Sequence, residues 1–194
     1  MNYIEALNLL ENGKVKECID YFKNNNYLIE YIYALIMTDN LEEAEKLSEQ
    51  IDSVRADWVL KLIPIMQGKL KEYPTYFQIR NFLEIDISML FKANKKEYIQ
   101  CILNEADIFQ EINSESYKFL GRVLLKNDYP YQAKMFLDRS LNQYYNDVEL
   151  HYLFVEYYLY MKDFTNAKRA AENCIKINPD YYPAKKTLNE LMSI

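Results

Sequence analysis

Apolar residues return with a helical period along almost the whole chain, and the pattern breaks every dozen or so residues at Asn, Asp, Gly or Pro. Asn12-Gly13 ends a first helix, because glycine readily takes the left-handed conformation that terminates one. Asn24-Asn25-Asn26 separates a second helix from Tyr27–Thr38. Asp39-Asn40 then introduces Leu41–Ile51, where either side chain can accept bonds from the first free amides. Met1 to Ile51 thus reads as two helical hairpins. Residues 52–79 are the least regular: Trp58, Ile63, Pro64 and Ile65 share a helix, Gly68 ends it, and Tyr73-Pro74 precedes the next. Pro64 removes a backbone donor inside an apolar run, so it is expected to kink that helix or to start a new one. Gly68–Pro74 is the expected hinge. From Arg80 the pattern predicts helix pairs 80–93 with 96–110, 114–127 with 130–144 and 148–161 with 164–177, then a last helix near Pro183–Met192.

The regular part repeats every 34 residues: Ile99, Ala133 and Ala167 lie one period apart, as do Leu90, Leu124, Tyr158 and Met192. Tyr117-x2-Leu120-Gly121-x2-Leu124 with Ala133-x3-Leu137 falls on His151-x2-Phe154-Val155-x2-Tyr158 with Ala167-x3-Ala171 and Pro179. This spacing of aromatic, small and proline residues resembles the tetratricopeptide repeat (TPR), a two-helix unit of that length. The match is best over 114–182, weaker over 80–113 and loose over 1–79, where the small-residue slot runs from Cys18 to Ala44, a shorter step. The resemblance implies an all-α fold, an α-solenoid (right-handed superhelix) of antiparallel helix pairs. Irregular TPR-like hairpins over 1–79 would lead into a regular array over 80–194 with a C-terminal capping helix, one continuous solenoid. Gly121 would sit where the two helices of a unit approach closely, and Ala133 and Ala167 where the second helix packs on the first. Ile87 and Val155 stand where the glycine is expected, Ile99 where the alanine is, and Pro130 where an aromatic is.

The family builds its inner wall from the first helix of each unit. Carried onto this chain, that face is Asn81, Glu84, Ser88 and Phe91, then Glu115, Lys118, Arg122 and Leu125, then Glu149, Tyr152, Glu156, Leu159 and Tyr160, extended by Lys186 and Glu190. Lys118, Arg122 and Lys126 recur at four-residue steps and form a basic stripe beside Tyr152 and Tyr160. Such a stripe can hold an acidic group of an extended peptide, with tyrosine rings adding rigid contact area. The expected groove residues are Lys118, Arg122, Lys126, Tyr152, Glu156, Tyr160 and Lys186. A solvated stripe offset by Glu115 and Glu156 is the competing expectation. The Lys/Asn/Asn/Lys/Arg clamp of chaperone-binding TPR domains is not reproduced.

Composition narrows the classes further. The net charge of −6 opposes nucleic acid and anionic membranes, and most of it lies in residues 1–79, which carry 13 acidic against 8 basic residues. Three cysteines, Cys18, Cys101 and Cys174, form no CxxC pair, so neither a disulfide framework nor a zinc site is expected. The N-terminus lacks a basic and then apolar leader, and no run is long enough to span a bilayer, which gives a cytoplasmic expectation. No GxGxxG or GxxxxGK[ST] occurs. The one histidine, His151, occupies a slot where the repeat buries an aromatic, and the abundant Asp and Glu are assigned to helix surfaces. No catalytic residue, metal or cofactor is expected. The leading functional expectation is a protein–protein interaction scaffold that binds a peptide or partner helix. The alternative is a peptide-responsive regulatory sensor acting on a separate effector protein, and an enzyme ranks third.

Overall fold

The computed structural model describes residues 1–192, so the last two positions of the expected 80–194 array lie outside the described residues. All regular structure there is helical, with no strand. The chain divides into two compact units, Met1–Ser114 and Glu115–Ile194. The change of sequence pattern at 79/80 falls inside the first unit.

The first unit holds α1 (Tyr3–Glu11), a 3-10 turn (Val15–Glu17), α2 (Ile19–Asn24), α3 (Leu28–Met37), α4 (Leu41–Ser48), α5 (Val54–Met66), α6 (Tyr76–Lys92), α7 (Lys96–Asn104) and α8 (Ala106–Ile112). Every residue of α3 from Tyr31 to Met37 is buried, which is the pattern of a helix covered on all sides. The expected helix over 96–110 is divided at Glu105 into α7 and α8.

Three local expectations bear on this unit. Pro64 does not begin a new helix: it lies in the last turn of α5, which runs on to Met66 and closes at Gly68 (φ +69). Asn40 does not cap α4; its amide donates back to Thr38, and the preceding Asp39 adopts φ +66 and accepts from the hydroxyl of Tyr98 and from Lys95. Around the expected hinge at Gly68–Pro74, α5 packs on both α6 and α7, Asp57 of α5 accepts from Gln78 of α6, and Trp58 of α5 donates to Asp86 of α6. Gly13 does end α1, with φ +76, and a side chain there would come within 2.4 Å of the Lys92 carbonyl oxygen.

The second unit holds α9 (Ser116–Lys126), α10 (Pro130–Leu141), α11 (Val148–Tyr160), α12 (Phe164–Ile177) and α13 (Tyr182–Leu191). Each helix packs on the next, and α11 also contacts α9 and α13. Pro130 opens α10, where its missing donor would have been unpaired anyway. Gly121 and Leu137 meet where α9 crosses α10: a Cβ on Gly121 would lie 2.5 Å from Leu137 Cδ2, so a larger residue would force the Leu137 side chain to shift. Ala133 and Ala167 are fully buried, as are the larger Ile87 and Val155 in the equivalent glycine slot. Leu150, Leu153, Phe154, Ala170, Ala171, Cys174 and Ala184 form the shared core of α11, α12 and α13.

Left-handed turns close helices at Gly13, Asn26, Asp39, Gly68, Asn94, Asp128 and Lys162, and the last three lie one 34-residue period apart. Asn94, Asp128 and Lys162 take φ +57, +68 and +58 in turns after α6, α9 and α11. In each, the following amide donates back to the helix: Lys95 to Leu90, Tyr129 to Leu124 and Asp163 to Tyr158, at 2.9, 2.9 and 2.8 Å. Asn and Asp tolerate this conformation better than most residues, and the repeated six-to-one bond satisfies a carbonyl that the helix end leaves open.

Candidate functional site

The seven expected groove residues all fall on α9, α11 and α13 of the second unit, but they differ in what they offer a ligand. Lys118 is buried, at 4 % exposure. Its Nζ lies 2.7 Å from Glu115 Oε1, 2.7 Å from Asp147 Oδ2 and 3.1 Å from Glu149 Oε2. Burial alone would lower the ammonium's pKa, and the bonds from Asp147 and Glu115 overcome it, so Lys118 is held well above the usual lysine range. The expected basic stripe is therefore corrected at its first position, because three carboxylates already enclose the cation.

Arg122, one turn on, places Nη2 2.7 Å from Glu149 Oε1, so Glu149 spans both cations of α9. Burial raises the Glu149 carboxyl, but the bond to Lys118 and the nearby Arg122 charge bring it below its ordinary value. Asp147 is lowered in the same way: the Lys118 bond and the backbone amide of Leu150 outweigh its loss of hydration. Asp147 also caps α11, accepting from the amides of Glu149 and Leu150, which fixes its second oxygen toward Lys118.

The C-terminal half of the face is open. Lys126 is exposed at the end of α9 and, among the described residues, has no ion-pair partner within 4 Å. Glu156 reaches solvent, yet loss of hydration raises its carboxyl, with Lys126 and Arg122 opposing and Glu149 adding to the rise. Tyr160 is exposed. Tyr152 is held by an edge-on contact with Tyr181, ring centres 5.6 Å apart, and its hydroxyl lies 3.3 Å from Thr187 Oγ1 on α13. Lys186 is exposed and only 3.9 Å from Glu190 Oε1, a loose surface pair.

Sequence reasoning missed Asp147, Tyr181 and Thr187. An Asp immediately before the predicted start of α11 is a capping signal that pointed to Asp147; nothing in the pattern marked Tyr181 or Thr187. His151 is buried, with Nε2 2.7 Å from the Tyr145 carbonyl oxygen and its ring edge-on to Tyr145, so it is engaged in packing. Beyond Lys118, Glu115 and Asp147 line an open recess of about 480 Å3 with Ser140, Gln143, Tyr144, Tyr145 and Asn146. Both carboxylates of that recess are engaged by Lys118, which leaves no poised acid and base there. Among the described residues no group of three or more His, Cys, Asp or Glu side chains is arranged to hold a metal ion, and no helix is long and apolar enough to cross a membrane.

Compared with protein-family models, with curated proteins and with solved structures, the chain matches none. The functional reading therefore rests on the residues themselves.

Proposed function

We propose that the chain is a protein-interaction module in which the helix pairs of the second unit are TPR-like, the stacked units of a right-handed α-solenoid, and that the α9–α11–α13 face binds a peptide or a partner helix. The recurrence of the same left-handed turn at Asn94, Asp128 and Lys162 supports the repeat. The observation that carries the binding reading is the open end of the face: Lys126 and Glu156 are exposed and, among the described residues, without an ion pair, and the ring of Tyr160 is exposed. Side chains of opposite charge separated along a helical face suit an extended or helical peptide whose own charges alternate, and a rigid tyrosine supplies contact area at low entropic cost. Lys118 and Arg122 serve this face indirectly, by fixing Glu149 and the start of α11.

A peptide-display library panned against the immobilised protein tests the proposal. Enriched peptides are expected to lose at least about tenfold in affinity, about 1.4 kcal/mol, on Lys126→Glu or Tyr160→Ala. Absence of enrichment, or peptides that bind both variants as well as the original, would sink it.

A further inference from the structure

Asp86 on α6 is the one carboxylate of the first unit that is enclosed, at 1 % exposure, and this overturns the assignment of all acids to helix surfaces. Three donors from two other helices converge on it. Tyr33 of α3 donates from its hydroxyl at 3.2 Å, and Arg55 Nη2 and Trp58 Nε1 of α5 donate to its two oxygens. The Arg55 guanidinium lies between two rings, 4.4 Å from the centre of Tyr33 and 4.3 Å from that of Phe82. Its Nη1 is buried with no hydrogen-bond partner.

We propose that Asp86 is a proton-operated latch: ionised, it ties α3 and α5 to α6 through Tyr33, Arg55 and Trp58, and protonated, it releases Arg55. The two members of the ion pair are unequal. Arg55 retains 19 % side-chain exposure and stays charged at any ordinary pH, whereas the carboxylate has no path to water. When a proton arrives, the carboxylate is therefore the group that becomes neutral. Its titratable neighbours are Tyr33 from α3 and Arg55 from α5; α6 itself contributes the Phe82 ring, and the adjacent Asp57 is occupied by Lys61 and Gln78. Once Asp86 is neutral, Arg55 keeps an unmatched Nη1 and loses the counter-charge that held it between the rings, so the guanidinium turns toward the solvent it already touches. Burial, only partly offset by Arg55, Trp58 and Tyr33, pushes the Asp86 carboxyl up to about 6, which puts the event in a range that cells reach.

The chain carries its own reporter. Trp58 is the only tryptophan, it is fully buried, and its indole N–H ends on Asp86. Intrinsic emission of the full chain, followed between about pH 8 and 5 with far-ultraviolet circular dichroism in parallel, is expected to change in one step at unchanged helicity. His151, the only histidine, lies in the other unit, so His151→Gln should leave the step in place. Asp86→Asn should abolish it. Arg55→Gln and Tyr33→Phe each remove a partner that favours the ionised carboxyl, so both should move the midpoint upward, and they decide the matter if Asp86→Asn does not fold. A flat titration, a step that survives Asp86→Asn or follows His151, a loss of helicity across it, or midpoints that fail to rise in both partner variants would overturn the latch.

Discussion

The Lys118 cluster of the second unit and the Asp86 cluster of the first each bury one charged side chain, and they are built in opposite ways. Lys118 faces three carboxylates with side-chain exposures of 38, 24 and 52 %, so its counter-charges stay hydrated while they pair with it. Asp86 faces one cation and two neutral donors, all in a closed space between helices. Desolvation is the largest influence on both, but three charges outvote it at Lys118 and one does not at Asp86. The number and hydration of counter-charges therefore decide whether a buried charge is fixed or switchable. On the two proposals above, that difference also separates the support of the α9–α11–α13 face from the latch at Asp86.

The largest expected effect comes from breaking the Asp86 cluster on one side. Asp86→Ala leaves Arg55, Trp58 and Tyr33 without their acceptor in a closed site, and removing one member of a buried pair costs about 3–5 kcal/mol. Adding Arg55→Met removes the stranded cation and should recover most of that loss, because apolar replacement of a whole buried pair is often neutral. Denaturant unfolding followed by Trp58 emission measures both. A single variant as stable as the original would show that water or another acceptor enters the site.

Acid should act on the same cluster with the opposite sign to ordinary acid denaturation. The folded-state carboxyl of Asp86 lies at about 6 against an ordinary 3.8, so the folded chain binds this proton more tightly than the unfolded one. Its charge costs stability above pH 6, and the cost fades as pH falls toward the ordinary value, by up to about 3 kcal/mol in all. Asp39, Asp57, Asp147 and Glu149 are lowered instead, so what they contribute is present above their ordinary values of 3.8 or 4.5 and is lost only below them. Between pH 7 and about 5, unfolding read by Trp58 should therefore show rising stability in the original chain and none of that rise in Asp86→Asn.

At the other cluster, Lys118→Met keeps the aliphatic stem and deletes the ammonium. Its three acceptors can turn to water, so the expected loss is smaller, about 1–3 kcal/mol, the usual range for hydrogen bonds to charged groups. The melting temperature measures it, and a loss equal to that of Asp86→Ala would erase the distinction between hydrated and closed counter-charges.

What could be seen in the sequence followed from local spacing. The resemblance to the tetratricopeptide repeat, carried by Gly121, Ala133 and Ala167 among others, implied that these small residues sit at close helix crossings, and all three lie in tight packing. The helices from α9 onward were legible from their spacing, whereas the break between α7 and α8 at Glu105 was not. Both charged clusters were not, because their partners are distant in the chain: Arg55 and Asp86 are 31 residues apart, and Lys118 and Asp147 are 29. An acid reads as surface until a helix 30 or so positions away brings a cation to it. The turn at Lys162 was likewise invisible, since only the backbone of its equivalents at Asn94 and Asp128 reveals the shared conformation.

The smallest expected effect on stability sharpens the comparison between the paired and open halves of the α9–α11–α13 face. Sequence spacing alone makes Arg122 and Lys126 equivalent members of one stripe. The structure separates them, because Arg122 has 17 % side-chain exposure and pairs with Glu149 whereas Lys126 is exposed without a partner. Arg122→Glu would set a new carboxylate against Glu149 and should lower the melting temperature. Lys126→Glu should change stability by no more than about 0.5 kcal/mol, as is usual for an exposed side chain outside packing, while it removes a cation that acts on Glu156. Peptides selected on the original protein should therefore bind Lys126→Glu weakly although it melts normally. Early melting of Lys126→Glu, or full binding by it, would show that the open end of the face is not where ligands are held.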